Sequence, residues 1–144
     1  MPRAEELRRL EQEVGVLIRR VKRVIGERSR AVHPDLQPAS YLMLTYLAAE
    51  GAQRSSVLSE RFGVDKGAIS RQVQHLTELG LVEREPDPQD GRAALVSASP
   101  DAVRRLEAVE QDRRRWLDER LSEWSEDDLS SFVTALARYN ATLD

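Results

Sequence analysis

Apolar residues along this chain fall into helical and strand-like patterns that differ from one stretch to the next. Between residues 3 and 30, Leu7, Leu10, Val14, Leu17, Ile18, Val21, Val24 and Ile25 recur at three- and four-residue steps. That heptad-like stripe predicts one long helix. A helix of this length has little of its own domain to lie on, so the stripe is expected to pack on another subunit. Gly15 and Gly26 suit close packing or a bend, and Arg19, Arg20, Lys22 and Arg23 occupy the other faces. A connector with two X-Pro steps, His33-Pro34 and Gln37-Pro38, follows. Pro38 fits the first turn of the next helix. From there to residue 50 the chain is apolar nearly all round (Ala39, Tyr41, Leu42, Met43, Leu44, Tyr46, Leu47, Ala48), and Gly51 ends it. A helix with no polar face is buried on several sides.

The next stretch changes period twice. Ser55 or Ser56 can cap a short helix to Arg61 or Phe62, with Val57, Leu58 and Phe62 inward. Gly63-Val64-Asp65 is a turn. Asp65 is a good N-cap, and Val64 with Ile69 has hydrophobic-staple spacing. Ile69, Val73, Leu76 and Gly80 then mark one buried helix face, with Gly80 placed to end it. Leu81–Glu85 and Arg92–Ser97 read as short strands around a Pro- and Gly-containing tip, Pro86-Asp87-Pro88-Gln89-Asp90-Gly91. Helix, turn, helix and hairpin in this order form a winged helix-turn-helix.

Ser99-Pro100-Asp101 opens another long helix, to about Glu123, with Val103, Leu106, Val109, Trp116, Leu117, Leu121 and Trp124 as its apolar positions. Ser125 and Asp128 have capping-box spacing, and Trp124 with Leu129 makes a second staple. The last helix, 126–143, is expected to bury Leu129, Phe132, Val133, Leu136, Tyr139 and Leu143. The fold class is therefore mainly α with a small β-hairpin wing, a winged helix-turn-helix flanked by N- and C-terminal helices.

Composition narrows the function classes. The chain has 144 residues, 40% hydrophobic and 33% charged, with a net charge of −3 and no cysteine. Disulfides, thiol switches and thiolate metal sites are excluded. No apolar run reaches the length of a membrane span and the N-terminal residues show no apolar signal region, so a cytoplasmic protein without a membrane partner is expected. Residues 1–33 hold nine Lys/Arg against five Glu, and residues 101–144 hold seven Arg against eleven Asp/Glu. Between 54 and 92 the signs nearly cancel. Nucleic-acid binding there must rest on a few placed cations, not on a broad basic field.

The outer face of the second helix-turn-helix helix carries Lys66, Gly67, Ser70, Arg71 and Gln74, short or hydrogen-bonding side chains near a helix N-terminus. Such a face is either simply solvated or enters a DNA major groove, where bidentate Arg and Gln side chains read base edges. Ser70, Arg71 and Gln74 are the base-reading candidates. Arg54, Lys66, Gly67 and Ala68 sit at helix N-termini and are candidates for the DNA backbone. Arg92, at the base of the wing tip, is the minor-groove candidate. Asp90 either orients Arg92 or Arg71 or forms the hairpin turn, and Arg84 meets either a phosphate or a carboxylate of its own chain. The two histidines, His33 and His75, have no metal-ligand spacing, so no metal is expected. No phosphate loop or paired nucleophile points to an enzyme. The alternative reading is a winged helix used only for protein–protein contact.

The order of elements and the residues together resemble the MarR family (multiple-antibiotic-resistance regulators) over essentially the whole chain, 1–144. The resemblance is carried by Ala68-Ile-Ser-Arg-Gln-Val-Gln-His-Leu76, Leu79-Gly-Leu-Val-Glu-Arg84 and the wing Asp87-Pro-Gln-Asp-Gly-Arg92. Asp90-Gly91-Arg92 matches the family's Asp-x-Arg signature, and Ala98-Ser99-Pro100 stands where the family usually has Leu-Thr-Pro. The resemblance implies a homodimeric transcriptional regulator, most often a repressor. Its dimerisation helices would be 3–31 and 100–144, and its winged helix-turn-helix 38–98. Two winged heads would face one pseudo-palindromic site on double-stranded DNA, associating the protein with the nucleoid. No cofactor is implied, but a small aromatic or phenolic inducer is. Arg19, Arg23, Tyr41, Met43, Tyr46 and Trp116 are candidates to line its cleft, although the aromatics suit a core better.

Overall fold

The computed structural model of the protein describes residues 1–144. The elements are α1 (Arg3–Val32), α2 (Pro38–Glu50), β1 (Gln53–Arg54), α3 (Ser55–Phe62), α4 (Lys66–Glu78), β2 (Val82–Pro86), β3 (Ala94–Ala98), α5 (Pro100–Arg120) and α6 (Glu126–Ala141). The chain divides into two compact units, Met1–Val109 and Glu110–Asp144.

In the first unit α2 supplies the centre of the core. Met43, Leu44 and Leu47 are buried with Leu58 of α3, Ile69, Val73 and Leu76 of α4, Val96 of β3 and Leu106 of α5. The all-round apolar pattern of α2 has this cause: several elements of the unit press on it. The sheet has the order β1-β3-β2, antiparallel throughout, with Arg84 opposite Val96 and Arg54 opposite Leu95. The expected hairpin is thus a three-stranded sheet, because β1 adds to the free edge of β3. Two residues are too few to show a strand period.

Local chemistry fixes the helix-turn-helix. Gly63 ends α3 at φ +62°, a left-handed conformation that glycine adopts without the steric cost of a Cβ. Both backbone groups of Val64 are held by Ser59, whose carbonyl accepts the Val64 N–H at 3.1 Å and whose hydroxyl donates to the Val64 carbonyl. Asp65 then caps α4, its Oδ1 accepting from the Ala68 N–H at 2.8 Å. At the other end Gly80, at φ +73°, reverses the chain. Its N–H donates to Thr77 O at 3.0 Å and that of Leu81 to Leu76 O at 2.9 Å, a Schellman arrangement. The exit is tied to the next helix by Ser99, whose hydroxyl donates to Gly80 O at 2.8 Å and accepts from Ala102 N at 3.1 Å. Arg105 donates to Val32 O at 2.9 Å and pairs with Asp101, so the start of α5 holds the C-terminus of α1.

Because the Asp65 cap is the only side-chain cap at the α4 N-terminus, Asp65→Ala is expected to destabilise the fold by ~0.5–2 kcal/mol. Urea denaturation followed by circular dichroism measures this, and an unchanged midpoint would show the cap to be dispensable.

The second unit contains the end of α5 and all of α6. α5 stops at Arg120, earlier than the expected Glu123, because residues 121–124 turn toward the Ser125 cap. The capping box is present in both directions, each bond 3.0 Å. Trp124 meets Phe132 edge-on at 5.8 Å. One expectation is corrected: α6 has no buried residue, and Phe132, Val133 and Leu143 are exposed. Leu129, Leu136 and Tyr139 of the same stripe are half-buried.

Candidate nucleic-acid interface

α4 is divided cleanly by its period. Ile69, Val73 and Leu76 are fully buried, while Lys66, Gly67, Ser70, Arg71 and Gln74 are exposed on the other side. The structure thus brings these five predicted residues onto one face. Gly67 keeps that face low at its N-terminal end. A Cβ there would stand 3.2 Å from Asp65 Oδ1 and 3.4 Å from Arg71 Nη1, so the Arg71 guanidinium reaches back along the helix toward the cap. Gln74 Nε2 donates to Glu78 Oε1 at 3.2 Å, an exposed intrahelical contact that occupies one of its N–H groups. Ala68 is corrected as a phosphate contact, because its N–H already donates to Asp65. The amides of Lys66 and Gly67, in the first turn, have no intrahelical acceptor.

The wing corrects two further assignments. Asp90 does not orient a guanidinium. Its Oδ1 accepts from the backbone N–H of Arg92 at 3.1 Å, so it is the turn-former. Arg54 is not a free cation at a helix N-terminus either. Its Nε and Nη2 both meet Asp87 Oδ2, at 2.6 and 2.5 Å. Asp87 is buried, and its other oxygen accepts from the Gln89 N–H at 2.9 Å. The Gln89 amide, followed by the Arg54 guanidinium, lowers the Asp87 pKa against the opposing effect of burial. A depressed carboxylate contributes stability above its ordinary value near ~3.9 and loses it only as pH falls through the folded-state value. The contact therefore persists through neutral and mildly acidic pH. Arg84 on β2 and Arg92 at the tip are both exposed.

The candidates for an effector cleft are placed differently. Tyr41 and Met43 are core side chains, Met43 only 1% exposed, and are corrected as cleft residues: α2 is buried on the faces they occupy. Tyr46 is half-buried, with Phe62 edge-on at 5.7 Å and Arg61 over its ring at 5.4 Å. Arg19 and Arg23 are exposed on α1. Trp116, in the second unit, is exposed beneath Arg120 at 5.2 Å.

Sequence reasoning passed over three residues. Asp87 holds the wing, Ser59 locks the helix-turn-helix turn, and Asp35 meets both histidines. The Asp35 N–H donates to His33 Nδ1 at 3.1 Å, and its carbonyl lies 3.2 Å from His75 Nε2 on α4. A signal existed for Asp87 alone. In Asp87-Pro88-Gln89 the proline has no N–H, so the first amide an Asx-turn can use is that of Gln89.

A family model described as the MarR family matches residues 35–93, the stretch from the connector to the wing tip. The HTH-type transcriptional regulator YxaD of Bacillus subtilis is 33% identical over 131 residues, covering 91% of this chain and 90% of that protein. Among solved structures, a crystal structure of MarR is 26% identical, with a TM-score of 0.69 over 92% of this chain and 89% of that one. A mutant MarR from E. coli complexed with operator DNA has the same fold, with a TM-score of 0.62 and 23% identity over 88% of this chain and 93% of that one. With the split faces of α4, the three-stranded wing and a relative this similar along most of its length, the chain belongs to the MarR family of DNA-binding, winged helix-turn-helix transcription regulators.

Proposed function

We propose that the protein is a repressor that binds a pseudo-palindromic operator as a homodimer and is released from it by a small aromatic or phenolic effector. It acts in the cytoplasm, on the nucleoid when bound. The observation that carries this reading is the exposed face of α4, small at Gly67 and Ser70 and bidentate at Arg71 and Gln74, on a helix whose other face is fully buried. That a mutant MarR of the same fold is complexed with operator DNA supports a duplex as the partner. Ser70, Arg71 and Gln74 read base edges in the major groove. Lys66 and the first-turn amides of α4 take a phosphate. Arg84 meets the DNA backbone, and Arg92 enters the neighbouring minor groove.

The exposed apolar stripes support the dimer. Leu7, Leu10, Leu17, Ile18 and Val21 line α1, and Phe132 and Val133 lie on α6, all open to water in the single chain. A second copy covers them, and its symmetry sets that of the operator. The effector would meet side chains that the single chain leaves open. Arg19, Arg23 and Trp116 remain as exposed side chains suited to an aromatic anion.

Arg92→Ala is expected to weaken duplex binding by ~1–3 kcal/mol, to lower the slope of log affinity against log salt by about one, and to leave the dimer folded. Anisotropy titrations at several salt concentrations, with thermal unfolding as control, measure all of this. Unchanged affinity and slope would remove Arg92 from the interface. A wild-type protein whose binding showed no salt dependence would instead favour a protein partner.

A further inference from the structure

The ion pair between β1 and the wing lies outside every assigned contact, and its geometry says what it does. Arg54 is extended (φ −72°, ψ 149°), pairs with Leu95 in β3 and directly precedes α3. Asp87 is the first residue after β2. The two are 33 residues apart in sequence, yet two guanidinium nitrogens converge on one carboxylate oxygen. Asp87 also organises the tip behind it. Its N–H donates to Ala93 O at 3.0 Å, its carbonyl accepts from Asp90 N at 3.2 Å, and its Oδ1 takes the Gln89 amide. Ala93 N in turn donates to Asp90 O at 3.0 Å, and Asp90 Oδ1 holds the amide of Arg92. The loop that presents Arg92 is therefore a closed set of bonds hung on Asp87, and Asp87 hangs on Arg54.

We propose that the Arg54–Asp87 pair sets the pose of the wing against the helix-turn-helix, so that Arg54 is a positioning residue of the DNA interface and acts through Arg92. The proposal rests on the DNA-binding reading above. Arg54 belongs to the rigid side of the joint, since its backbone is continuous with α3 and α3 is locked to α4 through Ser59 and Val64. Asp87 belongs to the other side, at the end of β2 where the wing tip begins. Removing the cation leaves a buried carboxylate without its partner, and the tip must shift to hydrate it. Recognition helix and wing engage one duplex together, so a shifted tip costs affinity although no contact to DNA has been deleted.

The test uses a duplex enriched from a random-sequence pool by the wild-type protein. Arg54→Ala and Asp87→Asn are each titrated against it by anisotropy, alone and combined with Arg92→Ala, over a salt series. Each single variant is expected to bind roughly fivefold to tenfold more weakly, and neither is expected to weaken binding further in the Arg92→Ala background. Asp87→Asn is the sharper variant. It is close to isosteric, and by charge alone it should tighten binding to a polyanion. Asp87→Asn binding as well as wild type or better, or Arg54→Ala losing affinity undiminished beside Arg92→Ala, would overturn the proposal and make Arg54 a direct phosphate contact. A wild-type protein that enriches no duplex overturns the DNA-binding reading itself, a different and earlier failure.

Discussion

Replacing Leu17 and Val21 together with aspartate is expected to convert the proposed dimer to a monomer and to weaken binding of its duplex by about two orders of magnitude or more. Leu17 is 48% exposed and Val21 43%, and Leu7, Leu10 and Ile18 flank them on the same helix with 41–49% exposure. A contiguous apolar stripe of this kind is rarely left in water by a monomer. Two carboxylates placed in it carry charge into the contact without removing any bond inside the first unit, where the buried residues of α1 are Ser29 and Val32, near its C-terminal end. The winged head therefore stays folded while the pairing of heads is lost. A single head then binds one half-site with its own affinity, without the effective concentration that the second head supplies. Sedimentation equilibrium gives the mass and anisotropy gives the affinity. A variant that remains dimeric would show that the α1 stripe is not the interface.

Two neighbours on α4 should separate stability from recognition. Ile69 is fully buried, and Ile69→Ala leaves a cavity in the core, expected to cost ~2–5 kcal/mol of stability. Arg71, two residues on and exposed, is expected to change stability by less than ~0.5 kcal/mol when replaced by alanine. It is expected to lose ~1–3 kcal/mol of binding and to relax the base preference at one position of each half-site. Denaturant unfolding and anisotropy on both variants give the four numbers. The opposite result, with Arg71→Ala unfolding the protein and Ile69→Ala sparing it, would mean that the faces of α4 are assigned the wrong way round.

How far the fold was legible depended on the range of the interaction responsible. The Asp65 cap, the Gly80 exit, the Ser125–Asp128 box and the Ser99 cap all act within five residues, and each is stated by the residue types themselves. The buried row Ile69, Val73, Leu76 follows from helical period alone. Arg54–Asp87 was illegible because it joins residues 33 apart through a strand of two residues, and neither a period nor a motif marks it. Asp90, two residues from Arg92, is the more conspicuous carboxylate in the tip, yet it holds only the Arg92 amide. Met43 illustrates a different limit: its helix reads as buried on several sides, and the structure confirms that burial and leaves no room for the cleft role. The α6 stripe marks a third. Apolar period says that Phe132 and Val133 are to be covered, but it does not say by which chain.

Selection of genomic fragments by the purified full-length protein at near-physiological salt, followed by sequencing, bears most directly on whether α4 and the wing read DNA. The expected result is a pseudo-palindrome with half-sites about one helical turn apart, whose recovery falls as salt rises. No enrichment above background, at low salt as well as at near-physiological salt, would contradict the assignment of this face to a duplex.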